Sequence, residues 1–292
     1  MFGGIRLINE LQYRQTYEYK LVQLSYSDKA AKFLSKKLND KELDDLLKRK
    51  YDENIYKLAN EKYFMYKNLD RYLEYINQNR KAQIETIVPL VNVNRDKVFY
   101  DDAIKTDISK KELMLVNKYH GLSEDYNPEN LVKVGSRYAY EGHRIIEEVY
   151  QAFKDLADEA RGEGYTIVIN SSYRSFSSQN SLWQAIRSNQ GTRVADQRSA
   201  RAGFSEHQTG YAIDVADFYD TGNDFGKTEA YKWMIENSYK FGFILRYPKH
   251  AENITGYSYE PWHYRYIGKE MAKKVYDEGI TFDEYYAFYL DR

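Results

Sequence analysis

The stretch from Gly203 to Phe218, GFSEHQTGYAIDVADF, places His207 and Asp214 seven residues apart with a Gly-Tyr pair between them. A second stretch, YEPWHYRY from Tyr259 to Tyr266, carries Glu260 three residues before His263. Two imidazoles and one carboxylate form the ligand set of a catalytic zinc, with the fourth position left for water. Each of the three is ordinary by itself, since a single histidine is as readily packed or exposed as ligating. Asp214 is flanked by Ile213 and Val215, so if these share the core face of a strand, its carboxylate points the other way. A carboxylate turned into the core instead needs a cation to offset its desolvation. Glu260, with Pro261 stiffening the link, has the chemistry of a general base beside a metal-activated water, or of a plain loop glutamate. Arg174 falls in a polar turn after the apolar run YTIVIN, where a guanidinium can stabilise an oxyanion.

The surrounding pattern predicts the elements that hold these residues. YTIVINSSYRS reads as a buried strand entering a turn, FSSQNSLWQAIRSNQ as a helix, and residues 191–210 as a long loop. YAIDVADF, FILRYP and PWHYRYIG read as short strands, KTEAYKWMIENSYKFG as a helix stopped at Gly242, and the tail as two helices. RYAYEGHRIIEEVYQAFKDLADEARGEG gives the clearest helical stripe, counting Ile145 and Ile146 with Val149, Phe153 and Leu156. Helices around a small mixed or antiparallel sheet make an α+β fold.

Before it, residues 1–85 read as a mainly helical, mildly basic spacer or accessory region. Ser27 or Asp28 is a possible cap, and Leu34, Leu38, Leu43, Leu46, Ile55 and Leu58 lie on apolar faces. Residues 86–115 read as a linker or extended entry segment around Pro89, and 116–292 as the domain that holds the chemistry.

Composition narrows the classes. The formal net charge of −1 argues against a general nucleic-acid binder. The absence of cysteine removes disulfides and thiolate metal sites and leaves His, Asp and Glu as metal ligands. The 31 tyrosines read first as compositional bias, an apolar ring with a polar tip for half-buried surface. The first 15 residues lack the apolar core of a signal peptide and no run approaches transmembrane length, so no membrane span is expected. His120, His143 and His250 read as structural or exposed. Asp217 is a weaker candidate for a residue supporting a ligand histidine.

SSYRSFSSQ, SEHQTGYAID and EPWHYRY, in that order, resemble the D-alanyl-D-alanine carboxypeptidases of the VanY type. These belong to a zinc peptidase group with D-Ala-D-Ala dipeptidases and LD-carboxypeptidases. The Ser-x-His-x-x-Gly-x-Ala-x-Asp pattern is matched by Ser205, His207, Gly210, Ala212 and Asp214, and Glu-x-Trp-His by Glu260, Trp262 and His263. The resemblance spans roughly residues 110 to 270. It implies Zn2+ held by His207, Asp214 and His263, with Glu260 as base and Arg174 at the oxyanion. It places Ser205 and Gln179 at the substrate's terminal D-residue or its peptide. The implied substrate is the peptidoglycan stem peptide, trimmed at its C-terminal D-alanine outside the cytoplasmic membrane. An LD-carboxypeptidase, an endopeptidase of the same group and a non-catalytic wall-binding module are the alternatives.

Overall fold

The structure, a computed structural model, describes residues 12–219 and 224–291. The opening residues read for a leader, 1–11, lie outside the described residues. Among those described, no helix is long and apolar enough to cross a membrane. The described residues form two compact units, 12–96 and 97–291 without 220–223.

The first unit is a set of short helices: α1 (Tyr17–Gln23), α2 (Asp28–Lys37), α3 (Asp40–Leu46), α4 (Glu53–Ala59), α5 (Leu69–Gln78) and α6 (Ile84–Asn92). Each of α1 to α4 starts on a side-chain cap, including Ser27 and an Asn39/Glu42 capping box, which satisfies N–H groups that the helix leaves free. Leu34, Leu38, Leu43, Leu46, Ile55 and Leu58 are all buried in one apolar cluster. The extended reading of the segment around Pro89 is corrected here, because Pro89 lies inside α6. Ile87, Val88 and Val91 are buried on one side of that helix, and this burial outweighs the one hydrogen bond the proline cannot donate.

The second unit begins with two small ladders. β1 (Ile104–Lys105) runs parallel to β2 (His120–Gly121), and β3 (Leu131–Lys133) pairs antiparallel with β4 (Arg144–Ile146). Helix α7 (Glu147–Gly162) follows β4 directly. Ile145 and Ile146 therefore belong to a strand, not to the helical stripe: Gly142 at φ 94° turns the chain, and the β-branched pair joins the ladder. The helix proper opens on Glu147 and Glu148, whose charge favours its N-terminus.

Four strands make the main sheet, β5 (Ile167–Ser171), β6 (Ala212–Asp217), β7 (Phe243–Leu245) and β8 (His263–Tyr266), in the order β5-β6-β8-β7 with every pair antiparallel. Between β5 and β6 run α8 (Phe176–Gln190) and α9 (Thr192–Arg198). The long loop expected over 191–210 thus contains a helix. Gly191 at φ 84° ends α8, and burial of Ala195 holds α9 in place. A helix, α10 (Glu229–Asn237), precedes β7, and α11 (Lys269–Glu278) and α12 (Phe282–Tyr285) close the unit.

The two faces of the sheet differ. Ile167, Ile169, Ile213, Val215 and Tyr264 pack with Val149, Phe153 and Leu156 of α7 in one core. Ile244 packs on the C-terminal helices through Phe282, Val275 and Tyr285. Asp214 and His263 lie on the face away from α7, as the alternation in AIDV predicts.

Gly210, between His207 and Asp214, adopts φ 74°. A Cβ there would also stand 3.0 Å from Ile146 Cγ1 and 3.2 Å from Leu131 Cδ2. Gly210→Ala should lower the unfolding free energy by about 1–2 kcal/mol from the left-handed backbone cost alone. Gly162→Ala, at the end of α7 with nothing within 4 Å, should be neutral or stabilising by up to about 1 kcal/mol. Denaturant curves on the two variants check the contrast, and equal losses would count against a conformational role for Gly210.

Candidate metal centre and active site

Strand register builds the centre. Asp214 on β6 pairs directly with Ser171 on β5 and with His263 on β8. Directly opposed residues of an antiparallel pair share a face. Ser171, Asp214 and His263 therefore form one row across three strands. The ladder shifts register between Ile169 and Ser171, which brings Ser171 into line. His207 reaches the row from a short 3-10 turn, Glu206–Thr209, that ends at Gly210.

The imidazoles are oriented by their second nitrogens. His207 Nδ1 lies 2.8 Å from the Ser172 carbonyl, which only accepts, so Nδ1 carries the proton and Nε2 presents its lone pair. That Nε2 is 3.4 Å from Asp214 Oδ2. His263 turns the other way: Nδ1 is 3.1 Å from Asp214 Oδ1, and Nε2 is 3.5 Å from Glu206 Oε2. The two rings stand edge to face with centroids 5.0 Å apart.

These residues fit a zinc ion. One ligand atom from each of His207, Asp214 and His263 lies within 4.8 Å of the others. Tetrahedral ligands about 2.0–2.1 Å from one ion stand about 3.3 Å apart, close to both observed N···O separations. Asp214 Oδ1 is buried with no hydrogen-bond partner among the described residues, an acceptor that a cation would satisfy. Burial opposes charge on Asp214, but His207 and His263 outweigh it and hold its pKa well below the usual carboxylate range. Burial lowers the His207 pKa, favouring the neutral, ligating imidazole.

Glu260 stands beside this set with Oε2 3.7 Å from His263 Nδ1. Burial, reinforced by Asp214 and Glu206, pushes its pKa up to about 7 against the pull of His263. Burial works against charge on His263 too, yet Asp214, Glu206 and Glu260 raise its pKa to about 9.

Arg174 emerges from the turn between β5 and α8, just before the helix cap Ser175. Its guanidinium donates to Gln179 Oε1 at 2.8 Å and Ser171 Oγ at 2.9 Å, and its backbone N–H donates to the His207 carbonyl at 3.1 Å. Arg174, Gln179, Ser205, His207, Asp214, Glu260 and His263 all line one cleft of about 250 Å³. Leu182 and Trp262 expose apolar surface at its edge. Gln179 is 1% exposed and donates both amide hydrogens inward, to Ser199 Oγ and to the Ala200 carbonyl.

Other sequence candidates fall outside this group. His120 Nδ1 meets Asn117 Oδ1 at 3.1 Å, His143 Nδ1 meets Ser172 Oγ at 3.1 Å, and His250 occupies an exposed turn at φ 68°. Asp217 accepts from the Tyr219 N–H at 3.1 Å, at the end of β6 away from the ligands. It therefore supports a turn, not a ligand histidine. Sequence reasoning passed over Glu206, Arg246 and Asp283, which lie behind His263. Charged residues read as exposed by default, and nothing local marks these three as buried.

The family model for VanY, D-alanyl-D-alanine carboxypeptidase, matches residues 142–269, a span that holds all seven cleft residues named above. A D-alanyl-D-alanine carboxypeptidase of Enterococcus faecalis is 37% identical over 190 residues, covering 61% of this chain and 67% of that protein. YodJ of Bacillus subtilis is 40% identical over 181 residues, 60% of this chain and 66% of YodJ. The chain spans about two thirds of the length of these relatives. Among solved structures, the LdcB LD-carboxypeptidase superposes with TM-score 0.60 at 38% identity over 66% of this chain and 92% of LdcB. The vancomycin-resistance D,D-pentapeptidase VanY, solved as a point mutant in complex with Zn(II), gives TM-score 0.53 at 36% identity over 60% of this chain and 98% of its own. With its three motifs gathered on one sheet face and these relatives beside it, the chain belongs to the VanY family of D-alanyl-D-alanine carboxypeptidases.

Proposed function

We propose that residues 97–291 form a zinc-dependent carboxypeptidase that removes the C-terminal D-alanine from peptidoglycan stem peptides outside the cytoplasmic membrane. Residues 12–96 would serve it as a helical spacer. The observation that carries this reading is the juxtaposition of His207, Asp214 and His263 with a half-buried carboxylate, Glu260, beside the set in one cleft. Zinc, when bound there, supplies a Lewis acid that brings the pKa of a water towards 7.

Glu260 takes the proton from the attacking water, a carboxylate at this position being suited both to taking that proton and to returning it. The water oxygen bonds to the penultimate carbonyl carbon, and Arg174 faces the oxygen on which negative charge develops. Ser171 and Gln179 hold that guanidinium, so little reorganisation is needed as the charge appears. When the C–N bond breaks, Glu260 returns the proton to the leaving amine, releasing D-alanine and a shortened peptide acid. Ser205, which lines the same cleft, would meet the substrate's terminal residue.

LD-carboxypeptidase activity on tetrapeptide stems is the second reading, favoured by the likeness to LdcB over 92% of that chain. Mass spectrometry of pentapeptide and tetrapeptide stems after incubation with zinc-loaded protein separates the two. Loss of one D-alanine from the pentapeptide alone supports the first reading, and loss from the tetrapeptide moves the assignment to the second. If neither stem is trimmed, both readings fail.

Glu260→Gln should keep zinc while turnover falls about 10²–10⁴-fold, whereas His263→Ala should lose both. Metal analysis alongside stem-peptide assays checks this, and full activity in either variant would sink the assignment. Glu260 and His263 both have pKa values raised above the unfolded 4.5 and 6.5. Each therefore contributes most stability when protonated, and loses that contribution as pH rises through about 7 and about 9 respectively. Between pH 5 and 7 the melting temperature of metal-free protein should change with a less negative slope in Glu260→Gln than in wild type. Thermal melts in EDTA test it, and an unchanged slope in that variant would contradict the assignment of the shift to Glu260.

A further inference from the structure

Behind His263 lies a chain of charges that the proposed reaction does not use. Glu206 is 2% exposed, Arg246 and Arg265 are 0% and Asp283 is 3%. Arg246 Nε donates to Glu206 Oε1 at 2.8 Å, and its Nη1 donates to Asp283 Oδ2 at 2.6 Å. Arg265 Nη1 lies 3.1 Å from the same Glu206 oxygen. The other Asp283 oxygen accepts from Asn117 Nδ2 at 2.7 Å, in the turn that opens β2. The rings of Tyr247 and Phe282 flank the Arg246 guanidinium at 4.8 and 5.6 Å. Glu206 thus has one oxygen committed to arginines, while Oε2 has no partner among the described residues except the facing His263 Nε2, itself unpartnered, at 3.5 Å.

A buried ion pair or triad is often no more stabilising than an apolar packing of the same volume. Here the chain ends on Nε2 of a proposed ligand histidine, and the partner of that nitrogen decides which ring nitrogen is left to meet the metal. We propose that the Glu206–Arg246–Asp283 chain is a positioning device for His263: it keeps the proton on Nε2 and the ring plane fixed, so that Nδ1 is the ligating atom. Glu206 and Asp283 are positioning residues. Through Asp283, helix α12 is coupled to the metal centre, although in sequence it follows the last ligand by about twenty residues. The inference rests on the zinc reading above.

The test uses the full chain as wild type, Asp283→Asn and Glu206→Gln. Zinc affinity is measured by competition with a chromophoric chelator, and the visible spectrum is recorded with cobalt(II) in place of zinc. Both variants should bind zinc about 10–100-fold more weakly than wild type, with altered cobalt bands. A purely structural role would lower only the melting temperature, leaving affinity within two-fold and the cobalt spectrum unchanged, and that result overturns the proposal.

Should a variant fail to fold, nitrogen NMR of zinc-loaded wild type decides. A proton on His263 Nε2 supports the proposal, and metal on Nε2 with the proton on Nδ1 overturns it. Wild type that binds neither metal removes the zinc reading and this inference with it, whereas tight wild-type binding with unaffected variants removes the inference alone.

Discussion

The active cleft depends on one backbone constraint, the antiparallel register that sets Asp214 between Ser171 and His263. Side chains on a strand alternate between faces, so a slip of one residue in either ladder would turn Asp214 or its neighbours into the core. Ile213 and Val215 oppose that slip by burying on the α7 side. Hydrophobic burial on one face of β6 therefore holds the polar row on the other. His207 joins the row because the turn ending at Gly210 returns the chain to the start of the same strand.

Charge is organised around that row in a graded way. Asp214, between two imidazoles, is held as the anion, while Glu260 nearby is pushed towards neutrality by burial and by other carboxylates. Two carboxyl groups in one cleft are thereby set apart, one held as the anion and the other pushed towards neutrality. Arg174 loses solvation on the same wall, offset by Asp214 and Glu260. Its two hydrogen-bond partners, Ser171 and Gln179, come from the strand and the helix on either side of its turn.

Much of this was legible in the sequence, for physical reasons that particular residues show. Asp214 and His263 stood out because they interrupt short apolar strands, whereas His207 and Glu260, in polar loop segments, were assigned through the motifs that resemble the VanY family. Arg174 stood out because it follows a buried strand. The fold brings all of these to one cleft. The N-terminal helices were readable from caps and leucine spacing, but α6 was not, since Val, Ile and Pro favour extended chain until tertiary burial overrides them. Ile145 and Ile146 fit a helical stripe as well as a strand, and only pairing with β3 separates the two. Arg246 and Asp283 were invisible because their meaning lies in contacts between distant segments.

The cleft wall opposite the ligand row is built differently from the row itself. It is a helical hairpin, α8 with α9, secured to the loop before Ser205 through Gln179, and through Asp196, which accepts from Trp183 Nε1 and Arg201. Reshaping that hairpin changes the room available to a substrate's end and leaves the backbone ladders of the row untouched. The hairpin can thus be reshaped everywhere but at Gln179, whose contact with Arg174 ties that one position to the turn after β5, while the strand register stays as it is.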